Sequence, residues 1–228
     1  MPIHLLGTSH IARQSIREIQ RYIEEEKPEI IAVELDVQRA AALFEKNPRK
    51  MSWSDAFQVG FRGFLFAKIG QYLQQKLGKI VGVAPGSEMK MALELARKRQ
   101  LQIAFIDQPL RTTLQNFSRQ LTWKEKFHFV VDIVVGLLFP QWQLQKSGLA
   151  RFDLQKVPEQ ELIATMMVQL KQRYPNVYKT LVEDRNRYMV HQLVKLMRAH
   201  PRKKILAVVG AGHQEGMQQM LAKVEIIP

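Results

Sequence analysis

The 228-residue chain contains no cysteine, so disulfide bridges, thiolate nucleophiles and Cys-ligated zinc are excluded, and any metal must be held by His, Asp or Glu. Long apolar runs are missing too. The most apolar stretch, FHFVVDIVVGLLF at residues 127–139, is interrupted by Asp132 and falls short of the roughly 20 residues needed to cross a bilayer as a helix. It reads as a buried or interfacial helix. The N-terminal MPIHLL enters a strand pattern without the basic region, apolar stretch and small-residue cleavage site of a secretion signal, which gives a cytoplasmic expectation. Acidic residues are the minority charge: 21 Asp and Glu stand against 34 Lys and Arg, for a net charge of +13 and a pI near 10.0. That balance favours polyanions or an anionic membrane face as partners. The basic residues gather in NPRK, ARKRQ and RAHPRKK, but no stacking platform or nucleic-acid motif accompanies them, so nucleic acid is not expected.

What is present suffices for a sizeable core, since 46% of the residues are hydrophobic. Residues 2–7 read as a buried strand and 11–26 as a helix with Ile16, Ile19 and Ile23 at helical spacing. After Pro28, KPEIIAVEL restarts a strand, and the three segments predict a βαβ unit with parallel strands. VQRAAALFEK predicts a short helix, residues 54–78 a glycine-punctured one, KIVGVAP at 79–85 a third strand, SEMKMALELARKR a helix capped by Ser87, and LQIAFID a fourth strand. From about residue 110 to 200 the strand patterns stop and four helical segments follow. KKILAVVGAGH then returns to a strand, QEGMQQMLAK to a helix, and VEII to a last short strand. The expectation is a single α/β domain: a mostly parallel central sheet flanked by helices, with residues 1–109 and 201–228 forming the core and 110–200 a large helical insertion.

In open α/β sheets ligands bind at the carboxyl ends of the strands. The residues just after the strands are His10, Glu34, Ser87, Glu88, Asp107 and His213. HLLGTSH at 4–10 and ILAVVGAGH at 205–213 each end an apolar run with Gly, two small residues and His. Gly7 and Gly210 are expected to permit a tight strand exit that turns both imidazoles toward one cleft. Two neutral imidazoles plus a carboxylate suit Zn, Mn, Co or Fe(II) while leaving positions open for water. Glu34 is the third ligand or general base, with a bland alternative as a helix cap or ion-pair partner of Arg39. Asp107 is open between a further ligand and a structural cap. Arg39, Arg185, Arg187, Tyr188 and Glu88 are the candidates for holding substrate, and Glu183 is expected to pair with Arg187 one turn on. His4, His128 and His200 are assigned structural roles.

GTSH, AVELD with Arg39, GSEMKMALELARKRQLQIAFIDQPLRTTL, VEDRNRYMVHQL and VVGAGHQEGM occur in an order that resembles the TraB/PrgY (pheromone-shutdown) family, over nearly the whole chain. That family is related more distantly to the Tiki metalloproteases and to GumN-type and erythromycin-esterase-like proteins. The resemblance implies a Mn- or Co-dependent peptidase in which paired GxxH motifs and a glutamate map to His10, His213 and Glu34. It also implies a peptide, or a small ester or amide, as substrate. Family members often continue into C-terminal transmembrane helices, and none is present in this sequence, which fits either a soluble member or the soluble domain of a membrane protein. The competing expectation is a non-catalytic module that sequesters a peptide, with the helices at 54–78 and 127–139 supplying a groove or a homodimer face.

Overall fold

ILAVVG at residues 205–210 carries no polar side chain, and such a strand is stable only where both of its faces are covered. It forms β4 (Ile205–Gly210), which lies inside a parallel sheet of order β1-β4-β2-β3, between β1 (Ile3–Thr8) and β2 (Ile30–Val33), with β3 (Gln102–Phe105) beyond β2. The computed structural model describes residues 3–8, 12–45, 86–125, 127–128, 131–132 and 159–224. His10, the expected helix 54–78, the expected strand 79–85, most of the segment 122–139 and the final strand after Val224 lie outside them.

Alternation along β2 and β4 sorts the core into two layers. Ile30, Ala32, Ile205, Ala207 and Val209 face α7 (Asp184–Ala199) and α8 (Ala211–Ala222), packing on Met189, Leu193, Met197, Met217 and Leu221. Ile31, Val33, Leu206 and Val208 face the other way, onto Ile19 and Ile23 of α1 (Ala12–Glu26) and Met89, Ala92, Leu93 and Ala96 of α3 (Ser87–Lys98). The architecture is the expected α/β one, with helices on both sides of a parallel sheet. One detail differs from the βαβ reading: β1 and β2 are parallel but not neighbours, because β4 pairs with both. The most apolar strand takes the position buried on both faces.

One helix start also differs from expectation. Gly86, at φ 80, is the residue before α3, so Ser87 is the first helical residue and not its cap. At α2 (Val37–Ala42) the cap is Asp36, whose carboxylate accepts the Gln38 and Arg39 backbone N–H groups at 2.8 and 3.0 Å.

Between β3 and β4 the described elements are all helical: α4 (Leu110–Gln120), α5 (Glu159–Arg173), α6 (Pro175–Tyr178) and a π-helical turn (Lys179–Glu183) that runs into α7. Pro175 marks the break between α5 and α6. It sits in the first turn of α6, where a missing N–H goes unnoticed. The π turn is pinned from outside, since the fully buried Thr180 hydroxyl reaches the Asn176 carbonyl at 2.8 Å and the Gln120 amide oxygen at 3.2 Å. Buried Glu125 accepts the Thr122 and Asn176 backbone N–H groups at 3.1 and 2.7 Å, so one carboxylate secures the end of α4 and the start of α6. These contacts set the rotation with which α7 meets the sheet.

Leu193 is fully buried where α7 meets the sheet. Leu193→Ala is expected to lower unfolding free energy by about 2–5 kcal/mol in a urea titration, from lost burial plus the cavity left behind.

Candidate active site

Four elements end or begin at the carboxyl edge of the sheet, and between them they deliver five polar side chains into a region the core has already dried. Glu34 continues the Ile30 and Ala32 alternation beyond β2, so it points toward α7. Its N–H donates to the Val208 carbonyl at 3.0 Å, and its Oε2 accepts the Gly210 N–H at 2.6 Å. Asp107 follows β3 and accepts the Gln108 N–H at 2.8 Å. Arg185 and Asn186 open α7, and His213 lies in the first turn of α8.

The Arg185 guanidinium joins them. Its Nη2 donates to Glu34 Oε1 and, at 2.7 Å, to Asp107 Oδ2, while its Nε donates to Asp107 Oδ1 at 3.1 Å. Its Nη1 faces His213 Nε2 at 3.0 Å. Because a guanidinium can only donate, Nε2 must be the accepting nitrogen and the imidazole proton must sit on Nδ1. Nδ1 finds a matching acceptor in Asn186 Oδ1 at 2.7 Å. A second cation, Arg39, donates from Nη1 to Asp107 Oδ2 at 2.7 Å and keeps 38% of its side chain exposed. His213 Nε2 lies 3.3 Å from Glu34 Oε1.

Burial alone would raise the Glu34 pKa, but His213, the Arg185 guanidinium, the Gly210 N–H and Arg39 together outweigh it and hold the carboxyl below the usual range. His213 reinforces this only when protonated. Burial lowers the His213 pKa, and Arg185 lowers it further, against the opposing pull of Glu34 and Asp107. The net effect is a neutral imidazole. Burial works against the charge on Arg185, yet Glu34 and Asp107 raise its pKa, so it stays ionised.

This gives an oriented base: a neutral imidazole whose tautomer is set by an amide and whose lone pair meets a carboxylate and a guanidinium. Metal-ligand chemistry is present in the same pair, Nε2 of His213 and Oε1 of Glu34. Among the described residues, however, no group of three or more His, Asp and Glu side chains is arranged to hold a metal ion. Arg185 occupies the lone pairs of His213 Nε2 and Glu34 Oε1.

The TraB/PrgY/gumN family pattern matches residues 1–226. This chain belongs to that family. An uncharacterized protein of Methanocaldococcus jannaschii is 34% identical over 98% of the chain and 54% of its own length. The human TraB domain-containing protein is 24% identical over 95% of the chain and 62% of its own. The chain thus spans between half and two thirds of the length of the curated relatives it matches. A solved erythromycin esterase in its open conformation aligns over 98% of the chain and 67% of its own at 14% identity, with a TM-score of 0.40.

In this TraB/PrgY/gumN domain, Glu34, Asp107, Arg185 and His213 come together, with Arg39 at the rim. His10 lies outside the described residues. Glu34 pairs with Arg185, not with Arg39, and Arg185 is bound to the site's own acids instead of reaching over an open cleft. The other candidates sit elsewhere. Arg187 is exposed and pairs with Asp184 at 3.3 Å, while Glu183, its expected partner, pairs with Lys171 at 3.3 Å. Glu88 is buried beside the Ser87 hydroxyl, and among the described residues no hydrogen bond ties Glu88, Tyr188 or Arg187 to the Arg185 network. The two strand-end glycines also act differently from expectation. Gly210 has φ −64, which any residue can adopt, so its value is space: a Cβ there would lie 3.3 Å from Glu34 Oε2. At Gly7 a Cβ would strike the Gln214 side chain at 2.2 Å.

Asn186 is the functional residue that motif reading missed. It lies on the α7 stripe with Met189, Val190, Leu193 and Met197, and an amide on an apolar stripe signals a buried polar contact. Gly216 makes room for it, since a Cβ there would come 2.5 Å from Asn186 Nδ2.

Gly216→Ala is therefore expected to displace Asn186, cost about 1–3 kcal/mol of stability and mix the His213 tautomers, read by urea titration and by imidazole nitrogen shifts in NMR. The pH dependence has a definite sign. His213 is depressed in the folded state, so the unfolded chain takes up its proton first and stability falls as pH drops below about 6.5. Glu34, also depressed, adds a second loss below about 4.5. Urea midpoints from pH 8 to 4 should show both, and His213→Gln should flatten the upper one.

Proposed function

We propose that this domain is a hydrolase that activates water for attack on a peptide, ester or amide carbonyl at the carboxyl edge of its sheet, with His213 and Glu34 as the reacting groups. The observation that carries the reading is the His213 imidazole, neutral and proton-directed by Asn186, with Nε2 3.3 Å from Glu34 Oε1. With water in place of the Arg185 Nη1 donor, Nε2 would take a proton from it, and the Glu34 carboxylate beside it would stabilise the imidazolium that results. Arg39, half-exposed at the rim, has guanidinium donors to offer a substrate carboxylate or a developing oxyanion. Arg185 holds Glu34 and Asp107 ionised and in place.

The metal reading joins to the same residues. His213 Nε2, Glu34 and His10 would hold a divalent Mn, Co or Zn ion, with Asp107 as a further ligand or orienter. Such an ion, when bound, supplies a Lewis acid and a more acidic water. The net charge of +13 supports a setting at an anionic membrane face.

One observation favours a second reading, a module that binds a peptide without cleaving it: Glu34 and Asp107 are saturated by Arg185, Arg39 and backbone N–H donors. A peptide library incubated with the protein and Mn, Co or Zn, then read by mass spectrometry, separates the two. Hydrolysis predicts new peptide termini whose formation drops by about 10²–10⁴-fold in Glu34→Gln and in His213→Gln. Peptides retained intact by the wild type would support sequestration and end the hydrolase reading.

A further inference from the structure

We propose that Trp123 and Phe127 form a lipid contact, a pair of rings on one helical turn that enters the headgroup boundary of an anionic bilayer. The inference is independent of hydrolysis and gives the anionic membrane setting a surface on this chain.

Three observations carry it. The first is how the helical turn is locked. Residues 123–125, 127–128 and 131–132 are helical. Thr122 and Glu125 close a capping box: the Glu125 N–H donates to the Thr122 hydroxyl at 3.3 Å, and the Glu125 carboxylate accepts the Thr122 N–H at 3.1 Å. The same carboxylate accepts the Asn176 N–H at 2.7 Å, so Glu125 must face α6. Asp132 also turns inward, accepting from Arg173 Nη2 at 2.7 Å and from the Tyr174 hydroxyl. At about 100° per residue, Trp123 and Phe127 lie about 40° apart, and each stands at least about 140° from Glu125 and Asp132. Locking the acids in turns both rings out.

The second observation is exposure. Trp123 is 77% and Phe127 69% exposed, the two highest values among large hydrophobic side chains of the described residues. A surface helix ordinarily buries its apolar stripe and hydrates its charges, and here the polarity is reversed. Such a face is costly in water and favourable only against an apolar medium. The third is charge. Glu125 and Asp132 are bound as described, and Glu183 is bound by Lys171 at 3.3 Å, whereas Arg119, Lys124 and Lys179 are exposed. The charge turned outward by this end of the helical layer is therefore positive.

That combination selects a bilayer over other partners. Each ring offers about 150–250 Å² at most, so the pair falls well short of the roughly 800 Å² per partner of a stable protein interface. A single nucleic-acid strand takes a charged groove floored with rings, and these rings stand on the convex side of one turn. A bilayer needs neither a large matching surface nor a groove: aromatic rings settle at its headgroup level, and adjacent Lys and Arg are drawn to anionic lipids.

The test is vesicle binding by the full chain. The chain has three tryptophans, so Trp53→Phe with Trp142→Phe leaves Trp123 as the reporter. Its emission is followed as vesicles of phosphatidylcholine alone, or mixed equally with phosphatidylglycerol, are added. Co-sedimentation with the same vesicles is measured for wild type, Trp123→Ser, Phe127→Ser and Lys124→Gln. The mixed vesicles are expected to move Trp123 emission to shorter wavelength, and lipids brominated on their acyl chains to quench it. Trp123→Ser and Phe127→Ser should each weaken partitioning about tenfold with melting temperature unchanged. Lys124→Gln should weaken it about fivefold at low salt and less at high salt. Vesicle binding that leaves the emission unshifted and survives both Ser substitutions overturns the proposal and leaves a membrane setting by charge alone. No association with either vesicle also overturns it. So does self-association, or binding to single-stranded DNA, that is lost in Trp123→Ser while vesicles are not bound. If the two-Phe background does not fold, co-sedimentation of the Ser variants decides. None of these outcomes bears on peptide cleavage at the strand ends, which the library assay reads separately.

Discussion

Two carboxylates at adjacent strand ends, both cut off from water, repel one another and lose solvation unless a cation lies between them. Glu34 and Asp107 are in that position, and the Arg185 guanidinium is the cation that makes it tolerable. The consequences spread outward. Because Arg185 donates to His213 Nε2, the imidazole must carry its proton on Nδ1, which requires the Asn186 acceptor, which in turn requires the space left at Gly216. Since Arg185 and Asn186 are consecutive on α7, the rotation of that helix decides whether both are met. The π turn before it, held by Thr180 and Asn176, fixes that rotation. The polar site and the helical packing are one construction.

Much of the fold was readable in the chain. IIAV and ILAVV are uninterrupted apolar runs, and runs of that kind belong to parallel strands buried on both sides. Ile16, Ile19 and Ile23 marked α1, and the strandless stretch after residue 110 marked a helical layer. Strand order was not readable, because hydrophobicity says that a strand is covered and not by which neighbour. The π turn was invisible for a related reason: one extra residue in a turn leaves no compositional trace, and KTLVE looks like any amphipathic helix segment.

The candidate site was legible in its acids and in His213, since Glu34, Asp107 and His213 each follow an apolar run. Its bonding was not. Arg185 was expected to reach toward a ligand because it stands among other charges within a helical segment, and only the packing of α7 against strand ends shows that two buried carboxylates claim it first. Arg187, two residues on, turns to the solvent side as helical spacing requires. The glycines before the histidines were noticed for conformational freedom, whereas their contribution is the volume they leave for Glu34 and Gln214.

The central place of β4 bears on how the chain is made. β1 and β2 emerge early in synthesis, yet the strand that hydrogen-bonds to both comes only at Ile205–Gly210. Until then the nascent polypeptide holds two apolar segments with unsatisfied edges, and closure of the sheet waits on contacts of very long sequence separation. A ribosome that stalls before β4 would release a product unable to complete its own core, so assembly of the described sheet waits on β4, the last of the described strands.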